Sequence, residues 1–405
     1  MKALFLLLAT LGSGVVVAAP PSETSDVIVI FHNNTTSTRF HGLAKADERM
    51  AANPEAWNYL DQGLLGVVQK LESHHQFKAN HVFSYATRGF AARLNKSQID
   101  ALRLDKSVAY IEPDQPVSII AQTLPWGIDR IGADQSWTLA GNGSGSVSGI
   151  NVYVIDTGVY AHPDLNLVRH VNFAGGQNAD CNGHGTHVAG TIAAKDNDAY
   201  VVGVAPGLPL TGVKVLGCNG SGSMSGVIKG VDWVTANAVR PAIANMSLGG
   251  GVSQALDDAI VRSANLGVFY ALAAGNSGAN ACNSSPARVG GNINNGIVTT
   301  AATDSADKEA SWSNYGPCVD IWAPGVSILS TKLKGGVTTM SGTSMASPHT
   351  AGAAALYWAT WSQWSNEASA TPQEIEYKLK LEAFKLSTTS KDGRLINLLN
   401  TVPLP

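Results

Sequence analysis

Ser344 lies in Met340-Ser341-Gly342-Thr343-Ser344-Met345-Ala346-Ser347-Pro348-His349, directly ahead of the small apolar run Ala351, Gly352, Ala353, Ala354, Ala355, Leu356. A hydroxyl on a Gly-Thr turn at the start of a helix is held in the open, at the positive end of the helix dipole. Small residues at that density imply a helix packed closely on all sides, with Pro348 expected within the first turn, where its missing N–H costs nothing. Taken alone, the segment reads equally well as a helix cap. Two other segments favour chemistry. Ile150-Asn151-Val152-Tyr153-Val154-Ile155 is a buried strand that delivers Asp156 at its C-terminal end, the edge where parallel α/β sheets gather their working groups. Asn182-Gly183-His184-Gly185-Thr186-His187-Val188-Ala189-Gly190 places a histidine at the start of another small-residue helix. A lone Asp or His is usually structural; Asp156, His184 and Ser344, each on a glycine-flanked element end, coincide by chance far less easily. Their order along the chain is that of one of the three known arrangements of the serine-protease triad.

A serine at its free pKa needs a base to take its proton as it attacks a carbonyl carbon. His184 is the candidate base and Asp156 the group that would fix its tautomer and stabilise its cation. His187, three residues on, is the competing imidazole. An H-x-x-H pair also suggests a metal, but no glutamate in the segment could serve as base, and the metallohydrolase alternative is set aside. Asn276, in Ala273-Ala274-Gly275-Asn276-Ser277-Gly278 after an apolar strand, offers an amide to a developing oxyanion. Without the other three residues it would read as an ordinary turn asparagine.

Asp156-Thr157-Gly158, His184-Gly185-Thr186-His187-Val188-Ala189-Gly190 and Gly342-Thr343-Ser344-Met345-Ala346 resemble the three signature segments of the subtilases. Cys181-Asn182-Gly183-His184, Cys218-Asn219-Gly220-Ser221-Gly222-Ser223, Asn245-Met246-Ser247-Leu248-Gly249-Gly250 and Ser311-Trp312-Ser313-Asn314-Tyr315-Gly316 resemble the proteinase K and aqualysin branch of that family. The similarity runs from about Trp126 to the C-terminus. It implies that His184 is catalytic and His187 structural. It also implies that an extended peptide is clamped between Gly220–Met224 and Ser247–Gly250. Gly222, Met224, Ser247, Leu248, Gly249, Ala274 and Gly275 then form the substrate subsites, with room for a large apolar P1 side chain and Met224 lining P4. No carboxylate lies in these segments, which argues against selectivity for basic residues.

Four cysteines, Cys181, Cys218, Cys282 and Cys318, in an exported chain favour disulfides, with three connectivities open. No C-x-x-C pair exists, so zinc is set aside. The resemblance selects Cys181–Cys218 and Cys282–Cys318. It also matches Asp320 to a structural calcium carboxylate, and Asp129 to a second calcium position in which Gly132 stands where another acid is expected. No catalytic cofactor is implied. A subtilase fold kept only for binding is the alternative from another class, and the intact set Asp156, His184, Ser344 and Asn276 argues against it.

These groups need a scaffold. The 405 residues exceed one average domain. Residues 1–19 carry Lys2, an apolar core and Val17-Ala18-Ala19, the pattern of a secretory signal peptide. Residues 20–121 read as βαββαβ, a ferredoxin-like α+β module. The strands are Asp26–Phe31, Val82–Tyr85, Gly89–Leu94 and Val108–Glu112. One helix opens at Pro54-Glu55 and runs through Leu60, Leu64, Val67, Val68 and Leu71, and a second, capped by Asn95, carries Ile99, Leu102 and Leu104. That topology alone assigns no function; its position, and its likeness to the subtilase propeptide, imply an intramolecular inhibitor whose tail Ser118–Ala121 leads into the protease domain.

Residues 122–405 alternate strands with helices near 226–238 and 254–265, the signature of an α/β fold with a parallel β-sheet covered by helices on both faces. A last helix starts at Thr371-Pro372-Gln373-Glu374. A net charge of −3 with 14% charged residues gives no case for nucleic-acid binding. No later segment has the length of apolar chain needed to span a membrane. A secreted, extracellular monomer acting on polypeptide substrates is expected.

Overall fold

Alternating apolar residues decide which way each strand faces, and in this protein they serve two separate units. The computed structural model describes residues 24–32, 62–84, 87–114, 122–291, 294–365 and 367–402. The expected signal segment, the Pro54–Leu60 start of the first helix and the Ser118–Ala121 tail lie outside them. The chain divides into one unit ending at Ser118 and a second starting at Ile119.

In the first unit the strands are β1 (Thr24–Phe31), β2 (Ala79–Phe83), β3 (Gly89–Asn95) and β4 (Val108–Pro113), with helices α1 (Gln62–His75) and α2 (Lys96–Arg103). They form an antiparallel sheet of order β2-β3-β1-β4. Val27, Val29, Phe31, Phe90 and Leu94 are buried with Leu64 and Val68 of α1 and Leu102 of α2. Asn95 caps α2 in a reciprocal box with Gln98. Leu104, expected on the apolar face of α2, is instead 86% exposed. Ile99 and Leu102 share one face at i, i+3, and Leu104 falls about 200° round from Leu102, beyond the helix end.

The second unit contains β5 (Asn151–Asp156), β6 (Leu167–Asn172), β7 (Leu210–Lys214), β8 (Ala242–Met246), β9 (Val268–Ala273), β10 (Ile297–Thr303), β11 (Ile321–Pro324), β12 (Ile328–Thr331), β13 (Val337–Met340), β14 (Phe384–Thr389) and β15 (Leu395–Leu398). Its helices are α3 (Trp126–Arg130), α4 (His184–Ala193), α5 (Met224–Asn237), α6 (Gln254–Asn265), α7 (Thr343–Ala359), α8 (Trp361–Trp364) and α9 (Pro372–Glu382). Nine strands form one sheet of order β14-β15-β11-β10-β9-β8-β5-β7-β6. Neighbours pair in parallel except at one edge, where β14 runs antiparallel to β15, so the expected parallel sheet is in fact mixed. β12 and β13 form a separate hairpin. Among the described residues no helix is long and apolar enough to cross a membrane.

The two faces of the sheet explain why its strands read as unbroken apolar runs. Val152 and Val154 of β5 and Phe269 of β9 pack with Val188 of α4, the alanines of α7 and Leu379 of α9. Tyr153 and Ile155 of β5 and Tyr270 of β9 turn the other way, onto Val227 and Val231 of α5 and Ile260 of α6. In α7 every residue except Ser344 and Ala359 is buried, which only small side chains permit. Pro348 lies inside this helix, past the expected first turn. Its missing N–H frees the carbonyl of Ser344, and the Ser247 hydroxyl donates to that oxygen at 2.8 Å.

Both disulfides join loops of this unit, Cys181–Cys218 and Cys282–Cys318, with Cα separations of 4.9 and 5.4 Å. The second spans 36 residues. Loop-closure entropy for that length amounts to about 2–4 kcal/mol. Replacing Cys282 and Cys318 together by serine is expected to lower the unfolding free energy by that amount, read from denaturant unfolding of enzyme inactivated to prevent self-digestion. An unchanged midpoint and slope would refute it.

Candidate active site

The carboxylate of Asp156 ends β5 with no solvent exposure, so its charge must be met from within the protein. The backbone N–H of Thr157 donates to Oδ1 at 2.6 Å, and His184 Nδ1 lies 2.8 and 3.0 Å from the two carboxylate oxygens. Because the carboxylate only accepts, Nδ1 carries the proton and Nε2 keeps its lone pair. Close approach of two backbones allows this contact: a Cβ on Gly185 would lie 2.0 Å from the carbonyl oxygen of Gly158 and 3.1 Å from Asp156 Oδ1. Burial works against a charged His184. The charge and hydrogen bond of Asp156, with the charge of Asp180, outweigh it and hold the pKa above the usual imidazole value.

Asp180 is a residue the sequence reading passed over. Buried, it accepts from the backbone N–H groups of Asn182, Gly183 and Thr186 and from the hydroxyls of Thr157 and Thr186. It thereby satisfies donors at the start of α4 and ties that helix to the end of β5. An acid just ahead of Gly-His at a helix start was the available signal. His187 faces away from this pair, its Nε2 donating to the Ile328 carbonyl at 2.9 Å, and burial pushes its pKa down to about 4. It is a neutral packing residue.

Ser344 occupies the first turn of α7, where its own N–H has no partner inside the helix. Its hydroxyl donates to the Ser247 carbonyl at 3.1 Å, and no hydrogen bond joins it to His184. A buried polar chain anchors this turn to the sheet. Ser347 donates to Asn245 Oδ1 at 2.8 Å, Asn245 Nδ2 donates to Ser247 Oγ at 2.9 Å, and Ser247 closes the chain on the Ser344 carbonyl. Asn276 Oδ1 accepts from both the N–H and the hydroxyl of Thr343, at 2.9 and 2.8 Å. Those two donors fix the amide orientation, so the Nδ2 hydrogens project beside the start of α7.

His184 and Ser247 line a cleft of about 400 Å³ together with Gly222, Met224, Leu248, Gly249 and Ser285. Of the expected subsite residues, Ala274 and Gly275 are not on its walls. Ala274 is fully buried with its N–H on the Thr300 carbonyl, and the Gly275 N–H is held by the Thr343 hydroxyl.

Comparison with known proteins agrees with this architecture. The profile of the subtilase family matches residues 147–397, and that of the peptidase inhibitor I9 matches residues 26–119. Over 371 residues the chain is 41% identical to the alkaline serine exoprotease A of Vibrio alginolyticus, an alignment covering 86% of this chain and 64% of that protein. Over 319 residues it is 44% identical to the extracellular serine proteinase of Thermus sp. strain Rt41A, covering 74% and 71%. A crystal structure of a cold adapted subtilisin-like serine proteinase matches with a TM-score of 0.59 at 44% identity, over 68% of this chain and 98% of that one. The chain belongs to the subtilase family. It is a serine protease that carries an I9-type domain ahead of its protease domain.

Subtilases commonly bind calcium, and serine protease chemistry needs no catalytic cofactor. The residues at Asp320 nevertheless do not fit a calcium ion, because Lys380 Nζ lies 2.7 Å from Asp320 Oδ1 where a cation would sit. Beside Asp129, Gly132 has φ 78°, a left-handed turn position that suits glycine and offers no carboxylate. Among the described residues no group of three or more His, Cys, Asp or Glu is arranged to hold a metal.

The raised pKa of His184 has a checkable sign. A group that holds its proton more tightly when folded stays protonated above the pH at which free imidazole, with pKa about 6.5, becomes neutral. NMR of the enzyme with labelled histidine is expected to show His184 titrating above that value, and Asp156→Asn to lower its midpoint. A midpoint at or below the free value in the unmodified enzyme would refute the Asp156 effect.

Proposed function

We propose that Asp156, His184 and Ser344 form the catalytic triad of a secreted, broad-specificity serine endopeptidase that matures from its own proenzyme. The observation that carries this reading is the buried Asp156 carboxylate on Nδ1 of His184, in the cleft that also holds Ser247, the hydrogen-bond partner of Ser344. Rotation of the Ser344 hydroxyl from the Ser247 carbonyl to Nε2 of His184 brings nucleophile and base together. His184 takes the proton as Oγ attacks the scissile carbonyl, and Asp156 stabilises the resulting imidazolium. The Ser344 N–H and the Asn276 amide donate to the oxyanion. His184 then protonates the leaving amine, and water repeats the sequence on the acyl-enzyme.

Gly220–Gly222 and Ser247–Gly249 flank the cleft as two main-chain edges, which suits an extended peptide bound largely through its backbone and therefore of almost any sequence. Gly249 leaves room for a large apolar or aromatic P1 residue, and Met224 meets P4. The I9 match and the signal-like N-terminus support export as a proenzyme. Its N-terminal module would act as an intramolecular inhibitor and assist folding of a sheet rich in non-local contacts. No structural calcium is proposed at Asp320.

Ser344→Ala is expected to abolish peptide hydrolysis and to leave the proenzyme uncut, as seen by mass spectrometry of the purified product. Asn276→Ala is expected to retain cleavage with kcat reduced about 10²–10³-fold. A Ser344→Ala chain that still matures with no other protease present would overturn the assignment. Residues 20–121 supplied in trans are expected to inhibit the mature enzyme and to speed its refolding. Unchanged activity together with an unchanged refolding rate would reduce that module to a spacer.

A further inference from the structure

Asp320 and Glu376 are two carboxylates with no exposed side-chain surface, and both reach one partly exposed ammonium between the start of β11 and helix α9. Two buried carboxylates brought together need either a proton on one of them or a cation between them. Lys380, one turn after Glu376 on α9, supplies it. Its ammonium lies 2.7 Å from Asp320 Oδ1, 2.5 Å from Glu376 Oε1 and 2.7 Å from the carbonyl oxygen of Gly291. Three oxygens thus meet the three N–H donors of one ammonium, so no donor is wasted. The remaining carboxylate valences are also used. Asp320 accepts from the N–H groups of Gly291 and Thr299, and Glu376 accepts from those of Gly296 and Ile297.

We propose that Lys380 is a built-in replacement for a structural metal ion: a tethered ammonium fills an all-oxygen cation pocket formed by Asp320, Glu376 and the Gly291 carbonyl. Two carboxylates and a main-chain carbonyl are the donor types that a hard divalent cation selects. Here the cation belongs to the chain, so its occupancy depends neither on the concentration of a free ion nor on a chelator. The pocket also bears on the cleft. The segment it pins at Gly291 begins at Asn276 and passes through Ser285, which lines the cleft and accepts from the Gly250 N–H at 2.9 Å. The ammonium therefore anchors the far end of a substrate-cleft wall.

Lys380→Met keeps the aliphatic stem and removes the charge, leaving two buried carboxylates whose negative charge only a proton or an added cation can meet. Calcium bound per chain would be counted in wild type and variant after gel filtration, using protease inactivated by a sulfonyl fluoride. The variant is expected to hold one ion more than wild type. Its melting temperature is expected to rise by about 5 °C more than that of wild type between excess chelator and saturating calcium. Asp320→Asn in the otherwise native chain is expected to leave the number of bound ions unchanged. If Lys380→Met accumulates only when calcium is supplied in the growth medium, that dependence supports the proposal; failure to accumulate with and without calcium overturns it. A variant with the same calcium count and thermal response as wild type, or loss of an ion on Asp320→Asn, also overturns it.

Discussion

A carboxylate with no access to water is the constraint around which the protease domain is arranged. Asp156 sits at the end of an interior strand, and its desolvation is tolerable only because the Thr157 N–H and the His184 imidazole converge on it. Both partners need exact backbone placement. Thr157 has it by adjacency, whereas His184 must be brought by a separate helix whose first turn touches the strand end. Asp180 performs that joining, collecting the loose donors of the helix start and the Thr157 hydroxyl on one side chain. Replacing any one of these contacts would leave a buried charge or donor unmatched, which costs more than the contact itself is worth.

The turn that carries Ser344 is held on a different principle. A proline inside α7 opens one carbonyl, and the hydroxyl of Ser247 fills it as the last link of a chain from Ser347 through Asn245. Ser344 is thus tied to the end of β8 by the peptide group on which its side chain stands, and its hydroxyl in turn donates to the Ser247 carbonyl. A fixed backbone beneath a hydroxyl that can exchange one partner for another suits the nucleophile proposed for this position.

Much of this was legible in the residues. The run at 150–155 read as a buried strand, the caps at Asn95 and Thr371 announced their helices, and the glycine-flanked Asp156, His184 and Ser344 stood out by type and position. What stayed hidden depended on partners far away in the chain. β6 is half-exposed and polar, and β11 has four residues ending in proline, so neither shows a pattern until its neighbours are known. Asp320 reads as a metal carboxylate by local likeness, and only the fold reveals a lysine sixty positions later pointing at it. Pro348 argued for a helix start by propensity, and tertiary donation from Ser247 overrode that preference.

The burial of α7 has a consequence for how long such an enzyme survives among copies of itself. A protease cuts backbone that can be drawn into an extended form, and every molecule in solution is a substrate for its neighbours. The helix carrying Ser344 offers no such stretch: it is enclosed between the sheet and the helices beside it, and exposing it would mean dismantling the largest apolar cluster of the protein. Attack on that helix therefore awaits global unfolding, and it proceeds at the pace of the population that is fully open. The lifetime of the protease is set by the same packing that positions Ser344.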